Sequence, residues 1–307
     1  MKRTPRALGA LLVAGLFALS SCGSSDPLES SGATESSSSS EQAIAIGSQD
    51  YYSSEIIAEI YAQSLEKAGF TVDRQFRIGP REVYLPEIEA GTIDLFPEYT
   101  GPLLQYWTPN PDARGADEIY EALVAATPEG LRVLDQSPAT DQDSYVVTKA
   151  FADKWGLTTI ADLAKVEGPL VLGAASEAEN RPNGPKGLKE FYGIDAGFTP
   201  IEDSGGPLTV KALNDGDIQF AIIYTADPSI KKNNLVSLED PEGLFLSSHV
   251  VPLASENVTD EAAAIINQVS AAMTPDELIS LNARSVDEQL SASQIAQDWL
   301  ADKNFGS

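Results

Sequence analysis

Ile93-Asp94-Leu95-Phe96-Pro97-Glu98-Tyr99-Thr100-Gly101 reads as a short apolar strand that ends at Pro97 and presents Glu98, Tyr99 and Thr100 in the turn beyond it. Its flanks give the fold class. Upstream, Pro80 to Ala90 has a helical pattern with Pro86 as an interruption and Gly91 as its stop. Before that, Val72, Phe76 and Ile78 are spaced as in a strand. Glu55 to Lys67 carries Ile56, Ile57, Ile60, Tyr61 and Leu65 at helical spacing, with Ser53 or Ser54 as N-cap and Gly69 as stop. Ala43-Ile44-Ala45-Ile46 opens the series and breaks at Gly47-Ser48. Strand–helix–strand–helix–strand predicts an α/β fold, a mostly parallel sheet with helices on its faces. Ligands bind at the carboxyl edge of such sheets, where Glu98, Tyr99 and Thr100 fall.

The pattern then restarts. Ser144 to Thr148, Leu170 to Gly173, Gln219 to Tyr224 and Leu244 to Leu253 are extended, Val210 to Asn214 is helical, and helices fill Thr259 to Asp302. Crossings near Tyr145 and Val250 predict two lobes around a cleft, residues 43–146 with 250–307 and residues 147–249.

The N-terminus has a different character. Lys2, Arg3 and Arg6 precede an apolar run from Ala7 to Ala18, and Leu19-Ser20-Ser21-Cys22 follows. This predicts a signal peptide over 1–21 rather than a membrane span. The run resembles a bacterial lipobox, which implies a diacylglycerol on Cys22, an extracytoplasmic location and a lipid anchor in the membrane. Residues 22–42, with Ser36 to Ser40, are too polar to bury a core and predict a flexible tether. Its reach is roughly 25 Å.

The 307 residues carry 20 basic and 46 acidic groups, a formal charge of −26 that becomes about −29 once the signal leaves. Such a field repels nucleic acid and suits a neutral, zwitterionic or cationic ligand. Cys22 is the sole cysteine, so no internal disulfide forms, and the single histidine argues against a His-based metal centre. No cofactor or metal is expected. An enzymatic reading remains, with Asp94 and Glu98 as paired carboxylates, but no Ser-His-Asp pattern stands out.

Gly47-Ser48-Gln49-Asp50-Tyr51, Glu55 to Gln63, Gly91-Thr92-Ile93-Asp94 and Pro97-Glu98-Tyr99-Thr100-Gly101 together resemble the substrate-binding proteins of osmoprotectant ABC importers. The likeness continues through Pro185-Lys186-Gly187-Leu188, Ala212 to Gly216, Tyr224-Thr225-Ala226-Asp227 and Ala296 to Leu300. It implies a type II periplasmic-binding-protein fold, two lobes that close on glycine betaine, choline or a related amine. It also implies an ABC permease with a cytoplasmic ATPase as partner, and no enzymatic activity. A trimethylammonium group has no N–H to donate, so ring faces hold it by cation–π attraction. By motif position the resemblance implies Tyr99, Tyr145 and Tyr224 as cage rings, with Thr100 beside them. It implies Arg181 as a clamp on a ligand carboxylate, a task that suits a guanidinium fork.

Three positions depart from the family pattern. Gln49 stands where many relatives have lysine, Pro102 where a second hydroxyl is common, and Leu246-Ser247-Ser248-His249 lacks a further aromatic. His249 offers a flat face or a hydrogen bond there, and Tyr51 or Tyr52 offers a ring from the first turn. A different small polar solute is therefore the alternative ligand. Tyr61, Tyr84, Tyr120 and Tyr192 lie in helical patterns and read as packing residues, as do Trp107, Trp155 and Trp299.

Overall fold

Strands β1 (Ile44–Gly47), β2 (Val72–Gln75), β3 (Leu95–Tyr99) and β4 (Leu131–Val133) form one sheet, and β5 (Asp143–Thr148), β6 (Val171–Ala174), β7 (Gly197–Pro200), β8 (Phe220–Tyr224) and β9 (Leu235–Ser237) form another. The last strand, β10 (Val250–Ser255), returns to the first sheet, which has the order β2-β1-β3-β10-β4; the second has the order β7-β6-β8-β5-β9. In each, three strands run parallel and the strand after the crossing pairs antiparallel. The computed structural model describes residues 43–203 and 205–305. The expected signal over 1–21, Cys22 and the 22–42 tether lie outside the described residues. Among the described residues no helix is long and apolar enough to cross a membrane.

Both sheets are covered on both faces, which explains their unbroken apolar runs. Over the first sheet, α1 (Tyr52–Lys67) packs Ile57, Ile60 and Tyr61 onto Ile46 and Leu95, while α2 (Arg81–Glu89), α3 (Thr100–Trp107) and α4 (Ala116–Ala126) cover the other face around Tyr84, Phe96 and Leu103. Over the second, α5 (Lys149–Trp155) and α6 (Pro185–Tyr192) lie on the side of Tyr145 and Phe220, and α7 (Pro207–Asp215) and α8 (Ser229–Lys232) on the side of Val146 and Ile223. Then α9 (Asp260–Ala272), α10 (Pro275–Val286) and α11 (Ala292–Asp302) finish the α1 face of the first sheet.

Several expectations are corrected in detail. The strand does not stop at Pro97 but runs on to Tyr99, because β10 pairs along it with Pro252 opposite Pro97, where neither residue has an N–H to lose. Helix α1 starts at Tyr52 rather than Glu55, and neither serine caps it; the Ser54 hydroxyl accepts from the Gln49 N–H at 3.1 Å instead. The 244–253 run is extended in the sheet only from Val250. Strand β5, expected to close the first lobe at 146, pairs along its length with β8 and β9. The chain therefore crosses between Val133 and Asp143 and returns between Ser237 and Val250. The two crossings touch, with the Asp141 N–H donating to Ser248 O at 3.0 Å.

Candidate functional site

At the carboxyl ends of β1 and β3, short-range hydrogen bonds fix a cluster of rings. The Ser48 hydroxyl accepts from the Arg77 N–H at 2.9 Å, and the Gln49 bond to Ser54 turns the chain, setting Gln49, Tyr51 and Tyr52 at the sheet edge. Tyr99 ends β3 beside them. Beneath it, fully buried Glu98 takes Arg81 Nε and Nη2, each at 2.8 Å, the Tyr84 hydroxyl at 2.5 Å and the Tyr99 N–H at 2.9 Å. Both carboxylate oxygens are satisfied, so the backbone at Tyr99 is held from below. On the second sheet, Tyr224 ends β8 with 48% of its surface exposed, and the corner Thr225–Asp227 follows it.

These elements enclose a cavity of about 1020 Å³ lined by Gln49, Tyr51, Tyr52, Tyr99 and Tyr224 among others. Four rings therefore line it, Tyr51 and Tyr52 from the start of α1, Tyr99 from the end of β3 and Tyr224 from the end of β8. Ser248 and Asn282 also line it, and each is almost wholly buried with a side-chain oxygen that finds no hydrogen-bond partner. Unpartnered buried polar atoms are costly and mark a place built for something other than stability. Among the described residues, no group of three or more His, Cys, Asp and Glu is arranged to hold a metal.

The electrostatics are one-sided. Burial pushes the Asp141 carboxyl up to about 7, with Asp227 and Asp143 adding to the rise and the Ala226 N–H opposing it. Burial also raises the phenol of Tyr51 well above its ordinary value, with Tyr99 and Asp141 contributing; that of Tyr99 rises through burial and Asp141. Tyr52 rises through burial, Asp227 and Asp141, and Tyr224 chiefly through Asp143, then burial and Asp141. The rings therefore stay neutral, with electron-rich faces beside carboxylates. That is an environment for a cation.

The model of the substrate-binding domain of the ABC-type glycine betaine transport system matches residues 42–302. The chain belongs to this family. The glycine betaine-binding protein YehZ of Escherichia coli (strain K12) is 26% identical over 277 residues, covering 85% of this chain and 91% of YehZ. The carnitine transport binding protein OpuCC of Listeria monocytogenes serotype 1/2a (strain 10403S) is 25% identical over 279 residues, covering 87% and 89%. A crystal structure of a glycine betaine/carnitine/choline ABC transporter superposes with a TM-score of 0.78 at 21% identity, over 86% of this chain and all of that one. The fold is the type II periplasmic-binding-protein fold, and the protein is the solute-binding component of an ABC importer. Such a component works outside the cytoplasm with a permease and its ATPase.

Within this substrate-binding protein, Gln49, Tyr51, Tyr99 and Tyr224 line the cavity, and Thr100, Tyr145, Arg181 and His249 do not. Tyr145, expected in the cage, is wholly buried in the second lobe, edge-on to Phe220 and Phe245, with its hydroxyl donating to Asn183 O at 2.9 Å. The cause is its place inside β5, where alternation turns it toward α6. Arg181 is exposed and outside the lining, although its charge reaches Asp143 and Tyr224. The Thr100 hydroxyl is spent on the crossing, donating to Ser247 O and accepting from the His249 N–H, each at 3.1 Å. The His249 ring lies 2.7 Å from Ser137 O through Nδ1, so it braces the other crossing.

The paired-carboxylate reading also fails on geometry. Asp94 accepts from Ala45 N–H, Ser255 Oγ and Asn257 Nδ2 at 2.8–2.9 Å and stitches β1 to β10, while Glu98 is filled as described. Sequence reasoning missed Arg81 and Asp141. Arg81 carries no signal without knowledge of Glu98, and Asp141 lies in a crossing that the sequence pattern places near Tyr145 and the structure places between Val133 and Asp143.

Proposed function

We propose that this protein captures a small quaternary amine of the glycine betaine, carnitine and choline class between its lobes and delivers it, without turnover, to its permease. The reading is supported above all by four neutral tyrosines from both lobes that line one acidic cavity. Tyr51, Tyr52 and Tyr99 form a half-cage on the first lobe, and Tyr224 completes it when the lobes draw together. The size of the cavity fits this, since about 1020 Å³ exceeds what one such amine fills. The sequence at Leu19–Cys22 supports anchoring through a lipid on Cys22, with residues 22–42 as the tether.

Isothermal titration with choline, glycine betaine and carnitine tests the cage. Removing one ring from a desolvated cation site costs on the order of 1–2 kcal/mol, about tenfold in affinity. Tyr99→Ala and Tyr224→Ala are each expected to show that loss for whichever amine the wild type binds. Unchanged affinity in both variants would remove the cage.

A further inference from the structure

We infer that Asp141 is a specificity-determining residue whose carboxylate is the counter-charge for the ligand, so that the site prefers an amine of net positive charge over a zwitterion. The inference rests on the proposed cage and asks which member of the class it was built for. Five carboxylates line the cavity, on Asp50, Asp141, Asp203, Asp227 and Asp287, against three cations, Arg81, Lys211 and Lys232. Every one of those cations is already engaged: Arg81 on Glu98, Lys211 on Asp215, Lys232 on Asp287. A ligand carboxylate would thus meet no uncommitted positive charge in the lining.

The acids differ among themselves. Asp203 caps α7, accepting from the N–H groups of Leu208 and Thr209 and from the Thr209 hydroxyl. Asp227 caps α8 through the Ser229 N–H at 2.7 Å, and Asp287 is paired with Lys232. Asp50 is exposed. Asp141 takes a single backbone bond, from the Ala226 N–H to Oδ1 at 3.2 Å, and Oδ2 has no hydrogen-bond partner among the described residues. Its charge acts on Tyr51, Tyr52, Tyr99 and Tyr224, the four cavity rings. A partly buried carboxylate among ring faces, with one oxygen unbonded, favours a trimethylammonium group and disfavours the carboxylate of a zwitterion by the same field. The unpartnered hydroxyl of Ser248 remains as a hydrogen-bond partner for a neutral hydroxyl on the ligand.

The test is isothermal titration of the full protein with choline and glycine betaine at pH 8, where Asp141 is ionised, for wild type and Asp141→Asn. Asparagine keeps the acceptor for Ala226 and removes the charge. The wild type is expected to bind choline at least tenfold more tightly than glycine betaine, and the variant to lose most of that ratio through weaker choline binding. The opposite order in the wild type would overturn the inference without needing the variant. It would favour Arg181 swinging past Tyr224 to clasp a carboxylate, and would leave the quaternary-amine reading intact. An unchanged ratio in a folded Asp141→Asn protein also overturns it. If the wild type binds neither amine nor carnitine, both this inference and the function it rests on fall.

Discussion

Glu98 and Asp141 are two carboxylates within reach of the same ring, and their surroundings give them opposite tasks. Glu98 meets two guanidinium nitrogens, a phenol and a backbone N–H, so its charge is consumed in holding Tyr99. Asp141 meets Asp143, Asp227 and the phenols of Tyr51, Tyr52, Tyr99 and Tyr224, with only the Ala226 N–H in its favour, and burial holds it at about 7. The folded state therefore keeps the Asp141 proton that the unfolded chain releases near pH 4. Its contribution to stability is fully present below that value and is lost as pH rises toward 7. Asp141→Asn removes this term. In thermal melts, the Tm of the variant minus that of the wild type is expected to increase from pH 5 to pH 8; a flat difference would contradict the burial of that carboxyl. Residue type alone cannot separate these two acids. Tyr99 and Tyr224 came from motif position in the family resemblance, and each is the last residue of its strand, whereas the role of Asp141 is set by neighbours from both lobes.

The element that carries Tyr99 into place is the junction of β3 and α3, and it is packed against the returning crossing. A Cβ on Gly101 would stand 2.6 Å from Ser247 O and 2.8 Å from Leu246 Cβ. The Ser247 carbonyl and the partly buried Leu246 leave little room to give. Overpacking of this kind costs about 1–3 kcal/mol, against a helix-propensity gain of about 1 kcal/mol for alanine over glycine. Gly101→Ala is expected to lower Tm by a few degrees, roughly 2–4 °C per kcal/mol at this size. A Tm equal to or above the wild type would show that the crossing is loose. Strands and helices with regular apolar spacing, such as α1 and β8, were readable from the sequence, and so was the α/β order. What misled was local chemistry judged without its partner. Pro97 looks like a strand end until Pro252 is opposite it. Ser53 and Ser54 look like caps until Ser54 is seen to hold the Gln49 turn.

At the scale of the whole molecule, the second lobe touches the first at the corner that carries Ala226. Ala226 is buried with the core residues of the first lobe, its carbonyl accepts from Asn282 Nδ2 of α10 at 3.0 Å, and Lys232 pairs with Asp287 at the end of the same helix. The surface pair contributes little, since both partners are accessible to water. The Asn282 bond is sealed, and losing it would leave a buried carbonyl without a donor, at a cost of about 1–3 kcal/mol. Separation of the lobes lets water reach that carbonyl, so the cost falls on the approached state alone. Every 1.4 kcal/mol shifts such an equilibrium about tenfold, and apparent affinity falls with the fraction that is competent to bind. Asn282→Ala is therefore expected to raise the radius of gyration of the ligand-free protein in small-angle scattering and to weaken amine binding together with it. Saturating amine should restore the wild-type radius. Asn282 also lines the cavity, so a weaker affinity with an unchanged radius would mean that it touches the ligand rather than latching the lobes. An unchanged radius and affinity would mean that the corner at Ala226 does not govern closure.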